Sequence, residues 1–186
     1  KENSEEKYKS FTENLVKTKY EIVGIRTPKL RKFAKELLKK HGIGSLKMLS
    51  DNIYEEIMLQ GFIIAYSSGS LIDKKELFDN YLSKCDCWSL VDSFVSSLKL
   101  KGNDYQQGWI MMNDYKSNQA EMKQYPYIER FVLCLSMSLY LNDQYVDEIL
   151  EYSEKLTDRE YTVKMANSWL LATAAIEYFE KVMDVI

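Results

Sequence analysis

Punctuation is scarce in this chain. It has two prolines, Pro28 and Pro126, and seven glycines in 186 residues, so long uninterrupted helices are permitted. No apolar run approaches the length that crosses a bilayer, which excludes a membrane-spanning helix and with it a membrane partner. No secretory signal is visible. The chain opens at Lys1 rather than Met, so its true start is expected to lie upstream. Cysteine is sparse and odd in number: Cys85, Cys87 and Cys134. That argues against a disulfide framework and for reduced thiols in a cytoplasmic setting. Cys85 and Cys87 stand one residue apart, but the third cysteine and the one histidine are far off in sequence, so no metal site is expected. Positive charge is not in excess. A net charge of −3 gives the whole chain no general attraction to nucleic acid.

What the chain does have is helical periodicity. A first helix is predicted over residues 5–17, with Tyr8, Phe11, Leu15 and Val16 on one side. Thr27 suits the N-cap of the second and Pro28 its first helical position. Leu30, Phe33, Ala34, Leu37 and Leu38 then follow at the spacing of a buried face. His41-Gly42 ends this helix, with Gly42 as a left-handed cap; a cation at a helix C-terminus is sufficient reason for His41, which is not assigned a catalytic role. Further helices are predicted over 53–66, opened by Asn52 and Glu55 as a capping box, and over 73–83, 88–98 and 105–115. A seventh starts at Pro126 and is apolar nearly all round from Phe131 to Leu141, which makes it central to its domain. An eighth covers 145–154. The ninth, 158–183, opens on a capping box of Thr157 and Glu160. No segment carries a convincing β pattern. Starts fall about twenty residues apart, a spacing that favours an all-α fold, an α-solenoid of stacked antiparallel helical pairs with residues 1–186 as a single domain. A concave surface of that solenoid would draw on the fifth, seventh and ninth helices.

Three groups of residues carry candidate chemistry. Trp88 and Asp92 are four apart, so one stands above the other on a helix, while Val91, Phe94, Val95 and Leu98 form a separate apolar stripe. An aromatic face and a carboxylate presented together suit a cationic guest; the plainer alternative is a solvated acid beside a packing tryptophan. From Arg26 to Lys40 come Arg26, Lys29, Arg31, Lys32, Lys35, Lys39 and Lys40 against one acid, Glu36. That face either contacts phosphates or is simply solvated. Arg130 heads the apolar seventh helix and needs a carboxylate, a phosphate or a path to solvent. Trp169 lies among small and apolar residues, as either core or surface.

Four stretches fall in one order. They are Gly24-Ile25-Arg26-Thr27-Pro28 with Leu30-Arg31-Lys32; Trp88-Ser89-Leu90-Val91-Asp92; Arg130 at the head of its apolar helix; and Val163-Lys164-Met165-Ala166-Asn167-Ser168-Trp169. In that order and approximate spacing the chain resembles the DNA alkylation repair glycosylases of the AlkD type, which are built from HEAT-like helical repeats. The resemblance implies that Asp92 is the catalytic carboxylate, Trp88 and Trp169 are aromatic walls, and Arg130 contacts the DNA backbone. It implies phosphate contacts from Arg26, Lys29 and Lys32 and a DNA contact from Lys164. The implied partner is double-stranded DNA with alkylated bases, met by a monomer that uses no metal or organic cofactor. The chain departs from the family pattern in places. The family commonly has Gln where Arg26 stands, and Arg-Glu soon after the last Trp, where Leu170-Leu171-Ala172-Thr173 stands here. An active-site Tyr near the end of the first helix has no secure match. The family usually continues beyond Ile186, so the domain is expected to be incomplete at its C-terminus. The expected activity is excision of cationic N3- or N7-alkylated purines by hydrolysis of the N-glycosidic bond. The alternative is a non-catalytic HEAT-like module that binds DNA or protein, in which Asp92 is dispensable.

Overall fold

The computed structural model describes residues 4–156 and 159–186, and of 119–121 the backbone alone. The chain is all-α, as the periodicity predicts: the described residues form eleven α-helices, and the one β-bridge, Glu21 with Ile53, is isolated. Two compact units divide it, Lys1–Ile110 and Met111–Ile186. No described helix is long and apolar enough to cross a membrane.

The first unit holds α1 (Glu6–Leu15), α2 (Thr27–His41), α3 (Tyr54–Tyr66), α4 (Lys75–Lys84), α5 (Trp88–Val95) and the start of α6 (Asn103–Ser117). Its centre is α3, which is buried on nearly every side and packs against α2, α4 and α5. A Cβ at Gly61 would come within 2.6 Å of the Tyr81 ring, so the glycine is what admits that ring against α3. Tyr81 then donates its hydroxyl to the Leu90 carbonyl at 3.0 Å, and its ring lies 4.7 Å from that of Phe94. One side chain of α4 therefore fixes α5 against α3. On the other side, Arg31 and Lys35 of α2 lie over the rings of Phe62 and Tyr66 of α3, at 4.5 and 5.2 Å. Both pairs repeat at i, i+4, so two turns of α2 match two turns of α3.

Several expectations need correction here. The capping box of Asn52 and Glu55 does not form. Ile53 occupies the N-cap of α3 without a side-chain cap, and the buried Glu55 carboxylate instead accepts the backbone N–H groups of Val23, Gly24 and Ile25, at 3.0, 2.6 and 3.2 Å. Three donors converging on one buried carboxylate outweigh the single bond a cap supplies. Arg26, not Thr27, stands at the N-cap of α2, which puts Pro28 one position further in; Gly42 closes the helix with φ of 59°, in the predicted left-handed sense. Phe33 is exposed, because α2 meets α3 through Leu30, Ala34 and Leu37 flanked by Arg31 and Lys35. On α1, Phe11 and Leu15 are exposed and only Thr12 is buried; the helix is fastened at its start, where Glu5 N–H donates to the Gly24 carbonyl at 2.9 Å.

The second unit holds the end of α6, then α7 (Gln119–Gln124), α8 (Pro126–Leu135), α9 (Val146–Glu154), α10 (Tyr161–Ala174) and α11 (Phe179–Met183). Every residue of α8 from Ile128 to Leu135 is buried, and the helix runs on into a wider π turn, Ser136–Tyr140. It is the central helix that its composition predicts. Against it packs α10, which also meets α9 and α11. The predicted ninth helix is two. The chain turns after Ala174, which lets Val182 join Val146, Leu150 and Ala174 in one apolar cluster. Continuing straight would leave Val182 without that burial. Thr157 of the predicted capping box lies outside the described residues, and Glu160 stands at the N-cap of α10 without a side-chain bond.

Candidate functional site

Helix α5 is short, eight residues, and packs through its inner face. Leu90, Val91, Phe94 and Val95 are buried, and Ser89 meets the Tyr54 hydroxyl at 2.7 Å. The outer stripe carries Trp88, 36% exposed, and Asp92, half-buried, one turn apart as predicted. Just before the helix, the Asp86 carboxylate accepts the Thr18 hydroxyl at 2.8 Å and the Lys19 N–H at 2.7 Å, which fixes the approach of the chain to Trp88. Cys85 and Cys87 flank this aspartate and are buried. Burial pushes the Cys85 thiol well up and that of Cys87 to about 11, which disfavours the nucleophilic thiolate at neutral pH.

The cations of α2 are not a uniform solvated row. Arg26 meets the Glu5 carboxylate at 2.9 Å and Lys29 meets it at 3.3 Å, with Arg26 also over the Tyr8 ring at 5.0 Å. Arg26, and after it Lys29, holds the Glu5 carboxyl below its ordinary range. Lys32 stays largely in solvent, 4.0 Å from Glu36. Lys29 and Lys32 border a cleft of about 950 Å³ that Phe33 and Ile25 also line. Arg31 turns the other way, toward α3 and α5.

In the second unit Arg130 is 1% exposed. Its Nη1 donates to the Thr162 carbonyl at 2.8 Å, and the guanidinium lies 5.4 Å from the Trp169 ring centroid. Trp169 itself is 44% exposed, so the cation sits beneath a ring that solvent reaches. The neighbouring Glu129, also buried, accepts the Tyr152 hydroxyl at 3.0 Å and pairs with Arg159 at 3.2 Å. Helix α10 is tied to α9 by Asn167, whose amide donates to the Ser153 carbonyl at 3.1 Å. Its outer face carries Tyr161, Lys164, Ser168 and Trp169, all exposed.

The structure therefore places Trp88 and Asp92 one turn apart on α5, and joins Arg130 to Trp169 and Arg26 to Lys29 through Glu5. A family profile described as DNA alkylation repair enzyme matches residues 1–186. The chain belongs to that family. No curated protein and no solved structure matches it. Membership makes DNA the substrate class and DNA repair the context of the residues above. Two partners in these groups were not legible beforehand. Glu5 is 21 positions from Arg26, and the Thr162 carbonyl is 32 from Arg130, separations that no local pattern announces. Arg31 lies in the stretch Leu30-Arg31-Lys32 that carries the resemblance, but nothing in the sequence shows that it faces inward.

Proposed function

We propose that this protein is a DNA glycosylase that releases cationic N3- and N7-alkylated purines, with Asp92 as its catalytic carboxylate. The observation that carries the reading is the Trp88–Asp92 pair on the outer stripe of α5, in a chain of the DNA alkylation repair family. The packing of α2 on α3, and of α4 and α5 on α3, supports reading the helices as HEAT-like repeats.

An N3- or N7-alkylated purine is already positive, so its glycosidic bond is weak and its departure needs little acid catalysis. As the base leaves, positive charge builds on the sugar, as in other glycosidic cleavages. Asp92, close to that sugar, stabilises the charge and orients the attacking water. Opposite charges ~4 Å apart interact by roughly 4 kcal/mol at an effective dielectric of 20. Realised only in the transition state, that is about three powers of ten in rate. Trp88 and Trp169 offer ring faces to sugar and backbone. Arg26, Lys29, Lys32 and Lys164 meet phosphates, and Arg130 adds positive charge beneath the Trp169 face. The reaction as written calls for no metal or organic cofactor.

The test is release of N3-methyladenine and N7-methylguanine from methylated duplex DNA, wild type beside Asp92→Asn. The expected result is release well above the spontaneous rate, lost in the variant. A folded wild type that binds the duplex and releases neither base would sink the proposal and leave a non-catalytic binder. Release that survives the substitution would move the catalytic role off Asp92.

A further inference from the structure

One side chain of α2 holds the C-terminal end of α5. Arg31 Nη2 donates to Ser96 Oγ at 2.9 Å and to the Ser93 carbonyl at 3.4 Å. Nη1 donates to Ser97 Oγ and, at 2.9 Å, to the Tyr66 hydroxyl. The guanidinium lies 4.5 Å from the centre of the Phe62 ring. The Ser93 carbonyl also accepts the hydroxyls of Ser96 and Ser97, at 3.0 and 2.7 Å, so this last turn is knotted around the arginine. A cation suits that place, because the last carbonyls of a helix lack partners and carry its negative end. The same turn contains the backbone of Asp92, whose carbonyl accepts the Ser96 N–H at 3.0 Å.

We infer that Arg31 is a positioning residue, which fixes the turn beginning at Asp92 and through it the aim of the Asp92 carboxylate and the Trp88 ring. What is aimed rests on the glycosylase reading; that the turn is held rests on the hydrogen bonds alone. The link also makes α2 and α5 one rigid piece. A strand gripped by Lys29 and Lys32 of α2 then meets Asp92 at a set distance. Arginine is required because its planar fork reaches four oxygens while stacking on a ring, which a lysine ammonium cannot do.

The experiment compares wild type with Arg31→Lys and Arg31→Ala. It reads amide hydrogen exchange over residues 88–98, thermal unfolding, and single-turnover base release over a range of methylated-duplex concentrations. In Arg31→Lys the unfolding midpoint stays close to wild type while exchange at 93–98 rises about tenfold and that of α8 does not change. Release at saturating DNA falls about tenfold, with the half-saturating concentration within about twofold of wild type. Arg31→Ala shifts both readouts further in the same direction. Unchanged exchange over 93–98 in Arg31→Ala overturns the inference. So does a variant that keeps the saturated rate and raises only the half-saturating concentration, since that marks a direct phosphate contact. If the wild type releases no base, the glycosylase reading falls by itself; faster exchange in Arg31→Lys then still supports the hold on the turn, and equal exchange removes it.

Discussion

Two tryptophans of this chain stand beside a charge, and the two units handle that charge in opposite ways. In the first, Trp88 and Asp92 share an outer stripe, the ring exposed and the acid half-buried. In the second, Arg130 is buried and only its ring, Trp169, is open to water. A buried guanidinium is tolerable because the Thr162 carbonyl and the face of Trp169 replace part of its hydration. The comparison teaches a division of labour. The acid is half-buried on the outer stripe of its helix, whereas the cation is fully buried beneath an aromatic ring that solvent reaches; under the proposed function the first serves chemistry and the second seats the ring. Substitution should therefore harm chemistry in the one pair and stability in the other.

The largest effect is expected at Asp92. Asp92→Asn keeps the shape and removes the charge, so base release should fall by about 10²–10³, as for loss of one group aimed at developing charge. Its unfolding midpoint should move less than that of an Arg130 variant, since an isostere keeps the shape of a half-buried side chain. Arg130→Met is the complement. It removes a charge-assisted bond to the Thr162 carbonyl and the contact with the Trp169 ring, and should cost about 2 kcal/mol in chemical denaturation. Trp169 fluorescence should shift as the ring loses the cation beneath it. An Arg130→Met protein of wild-type stability, or an Asp92→Asn protein that unfolds, would erase the contrast.

The same contrast sorts what the sequence could and could not announce. Helical periodicity placed α2, α3, α5 and α8 because their buried stripes are local, repeating patterns. The i, i+4 spacing put Trp88 over Asp92 for the same reason. It failed where a long-range contact overrode a local preference. Glu55 reads as a capping residue but answers three N–H groups some thirty positions earlier. Phe33 reads as core but yields the α3-facing side to Arg31 and Lys35, because cations on rings are not part of an apolar count. The break after Ala174 was hidden because small and apolar residues continue through it, with no proline or glycine to mark it. The site divides likewise. Asp92, Trp88 and Trp169 are visible in the sequence as residues, but the burial of Arg130 and the capture of Arg26 and Lys29 by Glu5 are visible only in the fold.

Gly24 tests whether the start of the basic helix is fixed by packing. Its φ is +88°, and a Cβ there would come within 2.7 Å of the Lys9 Cβ and 2.8 Å of the Glu5 carbonyl oxygen. Gly24→Ala therefore adds backbone strain to a clash with backbone, and about 2 kcal/mol should be lost in denaturant unfolding. Because the same strand of chain carries the N–H groups that bind Glu55, the loss should appear as loosened exchange around residues 23–25. Unchanged stability would mean that the α1 start can shift aside at no expense, and that the glycine serves something other than the fold.

The smallest expected effect bears on how the cations of α2 reach phosphate. Glu5 neutralises Arg26 and Lys29 together, so Glu5→Gln should free both. Duplex affinity should then rise a few-fold at low salt, and the dependence of log affinity on log salt should steepen by about two if both cations meet phosphates. The pH dependence has a definite sign. The Glu5 carboxyl is held low, by Arg26 first and Lys29 second, so its ion pairs persist at neutral pH and are lost as pH falls through that lowered value. The part of the wild-type affinity due to Arg26 and Lys29 should thus rise on acidification in that window, while Glu5→Gln should show no such step. Titrations of both proteins with unmodified duplex at several salt concentrations measure this without any chemistry. An equal salt slope in the two would show that Arg26 and Lys29 serve only to anchor α1, and would leave Lys32 and Lys164 as the cations of the proposed interface.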